Sequence, residues 1–295
     1  MTSSVFDRFH PAVALGYFAA LLVFSMAAMQ PVYLLITFAG AFALSCALAG
    51  PRQAVRSLGW QLPLIAVLAF ANPLFVSAGS TELFRFALPG GGVRAVYLEA
   101  LAYGACAGLM LAGVLLVFGN AARVLSSDKV LGLLGNAAPT VALMVSMTAR
   151  LVPQYVRRGR TIGDAQAACT AARQPGAVRW RDRVREKGRI TSVLMGWGME
   201  DSLETADAMR ARGWGGAARR TTYACRRFRA FDAAALAAVG ALVLAAAAAA
   251  VAACAQFTFY PRIAGFAPWW SYLPYAVLAF APAAFELKER APWNR

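Results

Sequence analysis

The residues with the most chemistry to offer stand in one block, MGWGMEDSLETADAMRARGWG, Met195 to Gly215. Four carboxylates, Glu200, Asp201, Glu204 and Asp207, precede two guanidinia, Arg210 and Arg212, and a glycine stop. At about 100° per residue, Met195, Met199, Leu203, Ala206 and Met209 fall within roughly 120° of arc, and the carboxylates and Arg212 lie opposite. Acids ahead of bases along the axis suit the helix dipole, and Gly213 stands where a left-handed glycine ends a helix. The block therefore reads as an amphipathic helix that presents Arg210 and Arg212 at its end. It does not read as a reaction centre: no second acidic cluster answers Asp201 and Asp207. No GxxxxGK[ST] phosphate loop occurs, and none of the three lysines, Lys129, Lys187 and Lys288, precedes Ser or Thr. The one histidine, His10, and five scattered cysteines without CxxC spacing give no metal-ligand pattern, and the cysteines read as free thiols. The expectation is a chain that is not an enzyme, has no catalytic residue, metal or cofactor of its own, and leaves any ATP to another chain.

What positions this block is a membrane. Hydrophobic residues make up 60% of the 295, above the ~45–50% of soluble domains. Crossing ~30 Å of hydrocarbon takes about 20 apolar helical residues. Six runs fit, at about 12–29, 32–49, 62–78, 95–119, 233–255 and 268–286, and the first reads as a retained membrane helix. Pro51, Arg52 and Arg56 separate the second and third, and Pro73 is expected to kink the third. Glu99 lies near the outer end of the fourth, in a first turn where the dipole favours an anion, which fits a structural role. Residues 150–230 hold 18 of the 29 basic residues. With both termini inside, all basic residues except Arg85, Arg94 and Arg262 fall on cytoplasmic segments. The chain divides into four N-terminal spans (1–135), a membrane-surface and cytosolic segment (136–230) and a C-terminal hairpin of spans (231–295).

Inside the middle segment, Pro139–Pro153 is too short to span comfortably and is expected to lie along the inner face before entering the cytosol, with a kink at Pro153. RWRDRVREKGR, Arg179 to Arg189, has basic residues at every second position and reads as a solvated loop near anionic headgroups. The helical pattern begins at Ile190.

Several stretches taken together resemble the transmembrane T component (EcfT/CbiQ-like) of energy-coupling factor (ECF) ABC transporters. They are His10–Pro11, NPLF at Asn72–Phe75, SSDK at Ser126–Lys129, SMTARLVP at Ser146–Pro153, DAQAA at Asp164–Ala168, and the block above. They run in order over about residues 10–220, and the last is highly specific. The resemblance implies an all-α integral membrane protein of about six transmembrane helices, with a cytosolic pair of coupling helices between the fourth and fifth. Each coupling helix ends in an Ala-Arg-Gly-like motif that docks on one ATPase subunit. Ala211, Arg212 and Gly213 match the second motif, supported by Asp207, Met209 and Arg210. The first departs from the pattern: Ala168, Cys169 and Thr170 stand in its place, and either that dock works without a charged anchor or Arg173 supplies it from a turn further on.

The implied function is energy coupling in a vitamin or micronutrient importer of the cell membrane, with two cytosolic ABC ATPases and a substrate-binding membrane S component as partners. The Met-rich stripe would offer adaptable contact to that component, or pack on the chain's own second helix; an X-shaped pair allows both. The alternative is a stand-alone secondary transporter or channel, which predicts facing polar residues and an internal repeat within the spans. A nucleic-acid binder is disfavoured: the aromatics of the basic insert have no regular spacing and its acidic stretch would repel phosphates.

Overall fold

A computed structural model of the chain describes residues 5–76, 79–87, 93–126, 129–130, 132–133, 138–170, 180–214, 228–259, 265 and 267–290. After a 3-10 turn at Val5–Asp7 come α1 (Pro11–Ala27), α2 (Pro31–Ala49) and α3 (Pro51–Phe75), then strands β1 (Glu82–Ala87) and β2 (Val93–Tyr97). The chain continues through α4 (Leu98–Val124), α5 (Pro139–Thr170), α6 (Trp180–Ala211), α7 (Ala230–Gln256), a second 3-10 turn (Trp269–Tyr272) and α8 (Leu273–Arg290). Two compact units result, one of Met1–Val130 with Arg226–Arg295, the other of Leu131–Cys225.

The first three helices open alike, with Pro11, Pro31 and Pro51 in the first turn, where the missing amide costs nothing. Gly50, at φ +87°, supplies the turn that lets α3 follow α2 at once. This corrects the third expected span: the helix begins at Pro51 rather than near residue 62, since nothing between Arg52 and Gln61 breaks it. Arg52 and Arg56 ride on exposed first turns, and Pro63 and Pro73 both lie within the helix. The fourth span starts at Leu98, not 95, because Val93–Tyr97 pairs antiparallel with Glu82–Ala87. That hairpin is an addition to the all-helical expectation. The two C-terminal helices also shift, to 230–256 and 273–290.

Among the described residues, four helices, α2, α3, α4 and α7, are long and apolar enough to cross a membrane. α1 is apolar but has only 17 residues. Glycine brings the first unit's helices together. A Cβ on Gly104 would stand 2.7 Å from the Leu68 carbonyl, one on Gly108 2.8 Å from the Ile65 Cα, and one on Gly40 2.8 Å from the Ala279 Cβ. α3 thus lies against α4, and α2 against α8, at backbone distance, the small-residue packing that apolar solvent favours.

Several buried polar groups in this unit hold the scaffold together, although Gln30 Oε1 and Gln61 Oε1 are buried with no hydrogen-bond partner among the described residues. Asn120 Nδ2 donates to the Ala41 carbonyl at 2.8 Å, and the Thr37 hydroxyl bonds Tyr275 at 2.6 Å. Three buried acids each hold a backbone amide: Glu99 that of Thr81, Asp232 those of His10 and Arg229, and Glu286 that of Val5. Glu99 also accepts from the hydroxyls of Ser80 and Thr81, so it has the structural role expected of it. His10 caps α1 through Nδ1 and sets its ring edge against Phe228.

Candidate functional site

The second unit is built on two 32-residue helices, α5 and α6. α6 begins at Trp180, ten residues ahead of the expected start, and the basic run from Trp180 to Arg189 is helical rather than a loop. Its charges spread round the cylinder, where water can solvate them all, so their alternation carries no strand or loop signal. α5 is a single helix that contains Pro153.

Glycines fix how the pair meets. A Cβ on Gly159 would lie 3.3 Å from Leu194 Cδ1, one on Gly163 3.8 Å from Ile190 Cδ1, and one on Gly198 would collide with the Tyr155 hydroxyl. Rising numbers on α5 face falling numbers on α6, so the helices run antiparallel. Tyr155 and Trp197 meet edge to face at 6.1 Å, and the Arg158 guanidinium lies over the Trp197 ring. Arg158 Nη1 is buried and has no hydrogen-bond acceptor among the described residues. Towards the start of α5 the pair leaves a cleft of about 430 Å³, lined among others by Met147, Arg150, Gln154, Asp201, Ser202 and Thr205.

One expectation about α6 is corrected here, and the stripe shows both of the placements expected of it. Asp201, placed on the solvated face by the wheel, lines the cleft and is half-buried. The Met-rich stripe is divided: Met195, Met199 and Leu203 are 66%, 69% and 68% exposed, whereas Met209 lines the cleft beside α5. The face turned to α5 carries Leu194, Trp197, Gly198, Asp201 and Thr205, about a third of a turn away. Closest approach selects glycine, and the bulky thioethers of Met195 and Met199 are left outside. On α5, Met144, Val152 and Val156 are likewise exposed.

The end of α6 matches its sequence signature. Gly213 has φ +77°, its amide bonds the Arg210 carbonyl at 2.9 Å, and the Trp214 amide bonds the Met209 carbonyl at 3.0 Å. These two bonds are a Schellman stop, which spends two terminal carbonyls and turns the chain aside. Ala211, Arg212 and Gly213 are exposed. Asp207 and Arg210 approach within 3.9 Å, an exposed pair of little energetic weight. Met209 is half-buried beside the cleft.

At the end of α5, Ala168 and Cys169 are exposed and Thr170 is the last helical residue. Arg173 lies outside the described residues. The structure does not bring the two motifs together. Thirteen residues separate Tyr155 from Ala168, and thirteen separate Gly198 from Ala211. At ~1.5 Å per residue each motif stands roughly 20 Å from the crossing, in opposite directions. Sequence reading missed the crossing itself, Tyr155, Arg158 and Trp197; its available signal was the four-residue spacing of Gly159 and Gly163. No protein-family model matches the chain, and no curated protein matches it.

Proposed function

We propose that this chain is the transmembrane T component of an ECF-type importer, a coupling subunit that passes ATP-driven motion to a separate substrate-binding membrane protein. The observation that carries the reading is the equal-armed antiparallel pair: two long helices cross near Tyr155 and Gly198, and each ends in an exposed small-residue motif about 20 Å out. Two ATPase subunits that close on each other need two such contacts, displaced from a common pivot. Arg212 offers a planar fork of donors to a carboxylate or to carbonyls, Ala211 permits close approach, and Gly213 clears the chain from the contact.

The uncovered stripe of Met195, Met199 and Leu203 supports a second contact, with the substrate-binding component, through soft side chains that repack on different partners. In this reading unit 1 lies in the cell membrane with about six spans and both termini in the cytoplasm. The basic unit 2 lies in the cytosol, the ATPases bind the ATP, and the cargo is a vitamin or micronutrient. Hinge and shear of packed helices is the motion that such a pair transmits.

The two docks are separable. Arg212→Glu is expected to leave the chain inserted while recovery of ATPase on a tagged copy falls to about half. Adding Ala168→Glu is expected to abolish it. Undiminished ATPase recovery with both substitutions present overturns the assignment of these helix ends.

A further inference from the structure

Unit 1 carries a groove that the coupling function does not use. α1, α7 and α8 enclose a cavity of about 330 Å³, with buried Val13, Tyr17 and Leu278 as its floor and the rings of Phe9, Phe231 and Phe285 along its walls. Phe231 and Phe285 are 66% and 61% exposed, so the groove is open at the end where they stand. On α7 it runs from Phe231 to Leu242, which at ~1.5 Å per residue is roughly 16 Å. Half of a ~30 Å hydrocarbon core is about 15 Å. The groove is therefore as long as one leaflet is deep.

Its mouth is at the helix ends, and it is cationic on the outside. Arg8, Arg229 and Lys288 are exposed there. Of the nearby acids whose side chains the structure describes, Asp232 and Glu286 are buried on backbone amides, and Glu289 is held by Arg8 at 2.6 Å. Arg229 and Lys288 are in no salt bridge among the described residues.

We infer that this groove is a site for one anionic phospholipid, its acyl chain lying between α7 and α8 and its phosphate at Arg229 and Lys288. The inference needs only that unit 1 is a membrane unit, so it stands or falls separately from the coupling role. A protein partner at this face would have to fill a slot with no polar lining, whereas a lipid of the same leaflet has the length, the apolarity and the charge.

Native mass spectrometry of the full chain released from micelles containing equal phosphatidylglycerol and phosphatidylcholine tests it. The expected spectrum has one retained lipid per chain, with phosphatidylglycerol favoured at least fivefold, since each cation near an anionic headgroup contributes roughly that factor. Ala238→Phe, on the groove wall, is expected to cut retention at least fivefold. Arg229→Gln with Lys288→Gln is expected to keep a lipid but bring the preference close to parity. Equal retention of both lipids by the unaltered chain, or full retention by Ala238→Phe, overturns the site. Should Ala238→Phe fail to fold, an unchanged preference in the doubly neutralised chain overturns it instead.

Discussion

Gly198 and Gly213 do opposite things with the same absent side chain. At Gly198 the missing Cβ makes room for Tyr155, and at Gly213 it allows a positive φ that ends the helix. Gly198→Ala is therefore expected to destabilise the helix pair by about 1–3 kcal/mol, an overpacking cost, and Tyr155→Phe in the same chain is expected to recover part of it. Thermal unfolding of the single and double variants measures this; equal loss with and without the hydroxyl would mean that the crossing lies elsewhere. Gly213→Ala places a Cβ in a left-handed conformation, at about 1 kcal/mol. It should weaken ATPase recovery more than it lowers helix content by circular dichroism, and the reverse result would leave Gly213 as a mere cap. Gly213 was legible because its signature is local: an amphipathic run, bases in the last turn, then glycine. Tyr155, Arg158 and Trp197 were not, since nothing in a single sequence says which turn of one helix meets which turn of another.

At the scale of elements, apolar length carried most of the fold, and the errors fall where length is not the signal. α2 could be read almost to the residue and α7 to within a turn, because a bilayer leaves so few alternatives. α3 was cut short because Arg52 and Arg56 interrupt hydropathy without interrupting a helix. The strands β1 and β2 are each a short run of five or six residues, too little to outweigh the apolar stretch that follows. The start of α6 was lost for a different reason: a helix polar all round has no face to detect. A proline at Lys187 separates the two readings. In a helix interior it costs about 3 kcal/mol or more, so Lys187→Pro should lower helicity and thermal stability, where a loop would absorb it unchanged.

For the whole molecule, the contrast between the two units is the functional statement. Unit 1 spends the buried carboxylates of Glu99, Asp232 and Glu286 on backbone amides and closes its helices on glycine and alanine. Unit 2 does the reverse. It holds two helices at one crossing and leaves Met195, Met199 and Leu203 and the motif at each helix end exposed, the surfaces that the proposed partners would cover. The most direct measurement is to purify the tagged chain from its native membrane in mild detergent and identify what accompanies it. The account predicts ABC ATPase subunits at two per chain together with a small membrane protein that binds the solute. A chain that purifies alone, and by itself drives solute flux in liposomes, would contradict it.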